Sequence, residues 1–309
     1  MLRSRLSRYS PRVPRINVKD IELFYETAGD PSHPPLLLIA GLGVQLIGWP
    51  AYFVDSLAEC GLYVIYYDNR DIGLSTTFDG GQHDPHAVMG TLLAGEAPDL
   101  AYTLVEMADD AAELLDALGI ESAHVAGVSM GGMIAQIAAI RHPEKVRSLI
   151  SIMSTTGAPD VGQPTAEAME AILSSAPGTQ RSEVMAYNVQ NAKVWASPDH
   201  FDAGRINLLF QDSWDRAGGP QALNAGRQFC AIVASAPRDD ALASLDIPAL
   251  VVHGTADTLV PQTGGQRTAE MINGANLLVI EGMGHDLVPA FVPEIVKAMS
   301  SVIHGTTAS

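Results

Sequence analysis

Cysteine is nearly absent, with only Cys60 and Cys230 in a chain of 309 residues. They stand far apart, outside any C-x-x-C or other metal-type spacing, so they build neither a disulfide framework nor a thiolate metal site. Two reduced, partly buried thiols are expected. Positive charge is scarce as well. Eighteen Lys and Arg stand against thirty-five Asp and Glu, a formal charge of −17. No Lys or Arg occurs from Asp71 to Ile140. Affinity for nucleic acid rests on cationic contacts to phosphate, which argues against a nucleic-acid partner. An acidic surface favours solubility and attracts cationic ligands. Long apolar runs are missing too, none approaching the ~18 residues of a membrane span.

The cations that exist cluster at the start. Arg3, Arg5, Arg8, Arg12, Arg15 and Lys19 occupy the first nineteen residues, with no acid among them. This resembles the charged start of a targeting segment, but no apolar segment follows, which argues against a secretory leader. Pro11 and Pro14 oppose a helix. Residues 1–15 therefore read as a basic, flexible leader, on a protein expected to be soluble and cytoplasmic.

Apolar residues make up 47% of the chain and charged residues 17%. That is enough for a sizeable core in one domain, or in one domain plus an insertion. Ile21–Thr27 alternates. Pro35–Ala40, Tyr63–Asp68, His124–Val128, Val146–Met153, Ala249–His253 and Leu277–Ile280 are near-continuous apolar runs. Such runs suit parallel strands covered on both faces. Between them, Thr103 and Glu106 form a capping box. Leu104, Ala108, Ala111, Leu115 and Leu118 repeat on one helical face, and Gly119 stops it. Glu106, Asp109, Asp110, Glu113 and Asp116 are expected to face water or flank that stripe. The alternation breaks over 156–238, which reads as short helices and loops inserted between two halves of a sheet. The main body is then 16–155 together with 239–304.

Gly127-Val128-Ser129-Met130-Gly131 is the strongest chemical signal. It ends one predicted strand and opens a helical run, the context of a G-x-S-x-G nucleophile elbow. The sharp turn exposes the Ser129 hydroxyl at a helix N-terminus, where backbone N–H groups favour developing negative charge. Serine needs a base. Of nine histidines, His285 is the best placed, in a short loop after the last predicted strand. His83 and His86 flank Asp84 but lack a third convincing metal ligand. His124 and His253 fall inside strands and read as structural, and His142 ends a helix. The base needs an acid to set its tautomer. Asp257 follows the run Ala249–His253. The chain order Ser129, Asp257, His285 fits this type of elbow. Asp286 cannot easily orient the ring beside it, so its role is local. Leu42, after the run ending at Ala40, and Met130 are expected to supply the two oxyanion N–H groups.

In these residues the chain resembles the α/β-hydrolase esterases, from about Val18 to Met299. The likeness is carried by Leu36–Trp49, Tyr67–Ser75, Gly127–Gly132, Val251–Pro261 and Gly282–His285. Within that family it resembles aclacinomycin methylesterase and the macrolide esterases, through Gly48-Trp49-Pro50, Asp68–Asp71 and Gly282–His285. Many relatives have His-Gly where this chain has Ala40-Gly41. The resemblance implies an α/β fold with a mostly parallel eight-stranded sheet flanked by helices, and a helical cap at 156–238. It implies scaffold roles for Asp68 and Arg70, no cofactor or metal, and a small-molecule ester as partner. A bulky polyketide ester is expected, most of all a macrolide lactone, with Trp195, Trp214 and Phe229 lining the pocket or forming the cap's own core. The alternatives are a general carboxylesterase, a polyketide methylesterase, a carbon–carbon bond hydrolase, and a small-molecule receptor that keeps its triad. Nothing in the sequence specifies an oligomeric state.

Overall fold

A computed structural model describes residues 14–305. Arg3, Arg5, Arg8 and Arg12 of the expected leader lie outside the described residues. Arg15, also assigned to the leader, instead opens a strand and donates to Glu22 at 2.7 Å. That strand is four residues long, too short to show a hydrophobic period.

Eight strands form one sheet: β1 (Arg15–Val18), β2 (Ile21–Ala28), β3 (Pro35–Ile39), β4 (Tyr63–Tyr67), β5 (Ala123–Val128), β6 (Val146–Ile152), β7 (Ala249–Gly254) and β8 (Asn276–Ile280). Their order is β1-β2-β4-β3-β5-β6-β7-β8. β2 runs antiparallel to β1 and β4, and every other neighbouring pair is parallel. The helices are α1 (Ala51–Glu59), α2 (Pro85–Leu93), α3 (Leu104–Ala117), α4 (Met130–Arg141), α5 (Ala166–Leu173), α6 (Arg181–Trp195), α7 (Ala203–Ala217), α8 (Ala222–Val233), α9 (Asp239–Leu242), α10 (Thr263–Met271) and α11 (Val292–His304).

Continuous apolar strands follow from cover on both faces. In β3, Leu37 and Ile39 join the core formed with α3 and α4, whereas Leu36 and Leu38 join the core formed with α1 and α11. β8 departs from this expectation. It is an edge strand, and Leu277 and Val279 are 41% and 39% exposed. A run of five apolar-rich residues does not reveal whether a neighbour will cover it.

α3 carries the expected capping box at Thr103 and Glu106. Leu104, Ala108, Ala111 and Leu115 are buried, and Gly119 leaves the helix at φ 72°. Asp110 does not face water. It is buried and receives both arms of Arg70, each at 2.6 Å. A side chain placed by periodicity on the rim of the apolar stripe is drawn inward when a partner buried beside it supplies the opposite charge. Cys230 is buried, but Cys60, expected to be partly buried, is exposed at the end of α1.

The stretch between β6 and β7 holds α5 to α9, and residues 156–238 hold α5 to α8. Ion pairs to two buried carboxylates tie this stretch to the loop after β4: Arg216 to Asp68 at 2.7 Å and Arg227 to Asp71 at 2.6 Å. Asp68 also accepts the N–H groups of Leu46 and Leu74 at 2.7 and 2.8 Å. Among the described residues, no helix is long and apolar enough to cross a membrane.

Candidate active site

The strand order reverses between β3 and β5, whose onward connections leave in opposite directions. Loops at the carboxyl ends of such strands frame a crevice. Ser129 sits there, between β5 and α4, at φ 54° and ψ −122°. A non-glycine residue in this region carries strain, on the order of 1–3 kcal/mol, and persists only when its surroundings hold it. Ile152 accepts the Ser129 N–H at 3.0 Å, and the Ser129 carbonyl accepts from Ser154 Oγ at 2.8 Å. Glycine at 127 is required by close approach: a Cβ there would stand 2.0 Å from the carbonyl oxygen of Gly131.

Asp257 follows β7 and His285 follows β8, and the two strands are neighbours. Asp257 Oδ2 lies 2.6 Å from His285 Nδ1. Its other oxygen, Oδ1, accepts the N–H groups of Leu259 and Val260 at 3.0 and 2.8 Å. A second ring backs this pair. His253 Nε2 meets the carbonyl oxygen of Val260 at 2.6 Å and stands 3.6 Å from Asp257 Oδ2. A carbonyl only accepts, so His253 carries its proton on Nε2. Burial works against an ionised Asp257, but the His285 charge, the hydrogen bond from His285 and the nearby His253 N–H outweigh it, holding the carboxyl down at about 2. The carboxylate is therefore ionised near neutrality and fixes Nδ1 of His285 as the donor, leaving Nε2 for proton exchange. No hydrogen bond joins Ser129 Oγ to His285 Nε2 among the described residues. Such contacts are commonly loose without substrate and tighten in the Michaelis complex.

Leu42 lies in the loop after β3, and Met130 is the first residue of α4. Among the described residues, neither backbone N–H has an acceptor. The loop is held from several sides. Asn69 Nδ2 donates to the Ala40 carbonyl at 3.0 Å, and Gln228 Oε1 accepts the Gly43 N–H at 2.8 Å. Sequence reasoning did not single out Gln228, because nothing near it in the chain points to a loop so distant.

Trp195, Trp214 and Phe229 are half-buried in α6, α7 and α8. Trp195 reaches the site through its backbone, its carbonyl accepting the His285 N–H at 2.6 Å. Neither Trp214 nor Phe229 makes a hydrogen bond or ring–ring contact with Ser129, Asp257 or His285 among the described residues. Asp84, between His83 and His86, caps α2 by accepting the His86 N–H at 2.9 Å. His124 Nδ1 pairs with Ser148 Oγ at 2.8 Å, a structural role.

The chain is 29% identical over 299 residues to the rhodomycin D methylesterase of Streptomyces sp. strain C5, covering 88% of this chain and 91% of that one. It is 28% identical over 270 residues to 3-oxoadipate enol-lactonase 2 of Acinetobacter baylyi, covering 86% and 87%. In fold it is similar to the crystal structure of the enol-lactonase from Burkholderia xenovorans LB400. The TM-score is 0.71 at 23% identity, over 94% of this chain and 100% of that one. A family model described as alpha/beta hydrolase fold matches residues 34–289, most of the chain, and the protein belongs to that family.

Proposed function

We propose that this protein is a serine hydrolase of carboxylic esters, with Ser129 as nucleophile, His285 as general base and acid, and Asp257 as its acidic partner. The observation that carries the reading is the 2.6 Å contact between Asp257 Oδ2 and His285 Nδ1, at the same carboxyl end of the sheet as the strained Ser129 turn. In this reading Ser129 Oγ attacks the ester carbonyl while His285 Nε2 takes its proton. The backbone N–H groups of Leu42 and Met130 hold the resulting oxyanion. Collapse expels the alcohol, which takes the proton from the imidazolium. Water, deprotonated by His285, then releases the acid from the acyl-enzyme.

The substrate in this reading is a bulky polyketide ester. The similarity to a rhodomycin D methylesterase over most of both chains supports a methyl ester. The lactone of a macrolide is the other form that the same chemistry opens. The charge of −17 favours capture of a substrate bearing a basic amino sugar. The inserted helices of 156–238 act as a cap, with Trp195, Trp214 and Phe229 as walls of the cleft. Incubation with a panel of polyketide methyl esters and macrolides, read by mass, tests this. Methyl ester cleavage leaves a product lighter by one CH2, and lactone opening leaves one heavier by one water. Ser129→Ala should yield neither. Rapid turnover of short acyl esters with no change in any polyketide would make the protein a general carboxylesterase. Absence of multiple turnover on every ester would favour a receptor.

A further inference from the structure

α6 ends against the loops that carry the acid and the base. The Val194 carbonyl accepts Thr258 Oγ1 at 2.8 Å, one residue beyond Asp257. The Trp195 carbonyl accepts the His285 N–H at 2.6 Å. Ser197, two residues further and fully buried, accepts the Gly284 N–H on its hydroxyl at 2.9 Å. Its own N–H donates to Asp286 Oδ1 at 3.1 Å, and its hydroxyl donates to the same oxygen. Residues 284, 285 and 286 are thus each bonded to Trp195 or Ser197. The approach is close enough to require glycine at 284, where a Cβ would stand 2.4 Å from the Ser197 nitrogen.

We propose that Ser197 and Asp286 form a latch through which the inserted helices position His285. This inference rests on the esterase reading above. The contact with Asp257 fixes the His285 ring, but not the backbone that carries it. The latch supplies that second restraint. Ser197 uses its hydroxyl as acceptor and donor at once, closing hydrogen-bonded rings on both sides of His285. Asp286 does the holding with Oδ1 alone, since its buried Oδ2 has no hydrogen-bond partner among the described residues. Both are positioning residues, and neither exchanges a proton with the substrate. A displacement of about 1 Å at a reacting group can cost ~10²-fold in rate, so releasing the latch should slow the chemical step and leave small-ester binding near its wild-type strength.

The test is the rate at which a fluorophosphonate modifies Ser129, followed by intact mass and peptide mapping, in wild type, Ser197→Ala, Asp286→Ala and Asp286→Asn. Thermal unfolding reports on folding, and steady-state kinetics on p-nitrophenyl acetate separate kcat from KM. Ser197→Ala and Asp286→Ala should label at least ~10-fold more slowly, with KM close to wild type. Asp286→Asn keeps the accepting oxygen and should recover most of what Asp286→Ala loses. The double alanine variant should be little slower than the slower single one, because both changes break one unit. A folded Ser197→Ala that labels as fast as wild type overturns the latch. So does an Asp286→Asn as slow as Asp286→Ala, which would mean that the charge acts and not the hydrogen bond. Should Ser197→Ala fail to fold, the two Asp286 variants decide the question. Wild-type protein modified at a serine other than Ser129 would instead sink the esterase reading, and the latch with it.

Discussion

Gln228 in α8 accepts a hydrogen bond from the backbone N–H of Gly43 at 2.8 Å, across 185 positions of sequence. Its amide nitrogen also donates to the Arg70 carbonyl at 2.9 Å. One buried side chain of the insertion therefore braces the loop that presents the Leu42 N–H. Gln228→Ala should leave the Gly43 N–H unpaired, at a stability cost of about 1–3 kcal/mol. It should also let the Leu42 donor drift and lower kcat by up to ~10²-fold, somewhat less than outright loss of an oxyanion donor. Unchanged kcat in a folded variant would show that the loop keeps its shape unaided.

Substitutions in the proposed triad should differ in kind. Ser129→Ala should abolish acyl-enzyme formation and lower turnover by several orders of magnitude, because members of the unit act together. Asp257→Asn should keep the contact with His285 but favour the wrong tautomer, costing up to ~10⁴ in rate. Pre-steady-state burst measurements separate the two. An Asp257→Asn enzyme of wild-type rate would place the acid elsewhere.

His124 makes folding sensitive to acid. Burial, with the charge of Arg147 adding to it, lowers its pKa from 6.5 to about 4. Between those values the unfolded chain binds a proton that the folded chain refuses. The stability contribution is therefore complete above pH 6.5 and is lost as pH falls toward 4. His124→Asn retains a polar partner for Ser148 and removes the titration. Its melting temperature should vary less with pH across that window than that of wild type. Parallel curves would assign the acid sensitivity to other groups.

Arg227 and Asp71 form a buried pair at 2.6 Å, and Asp71 also accepts Tyr102 Oη and Asn224 Nδ2, each at 2.8 Å. Removing one member leaves a buried charge short of its partner. Arg227→Ala should destabilise the protein by about 3–5 kcal/mol, measured by denaturant unfolding. A change below about 1 kcal/mol would mean that the neutral donors, with the Phe78 N–H at 3.1 Å as a third, suffice, as expected for an exposed pair.

The path from sequence to site was uneven. Five strands, β3 to β7, were legible because an internal strand covered on both faces must be apolar along its length, as Leu36 to Ile39 are, and β2 by its alternation. The elbow was legible because its turn demands glycine beside Ser129 and a strand before it. His285 and Asp257 were legible as residues just beyond strands, in an order that such an elbow requires. The remainder was hidden for definite reasons. β1 is too short to show a period. Leu277 and Val279 look like core because an edge strand and an internal one share the same apolar letters. Asp110 sits at a helical position that faces water unless an Arg lies beside it, and Arg70 is forty residues away.

By its local pattern alone the sequence determined where most strands lie, how α3 begins and ends, and which residues stand at the strand ends where chemistry can happen. Those properties depend on neighbours in the chain: alternation, capping and the glycine needs of a turn. Only the tertiary structure decided that α6 closes on the loop of His285 through Ser197 and Asp286, and that Gln228 braces the loop of Leu42. A serine or a glutamine has the same local preferences whether its partner is near or 185 residues off. Its hydrogen bond acquires a direction only when the insertion is packed onto the sheet and water is excluded from both partners.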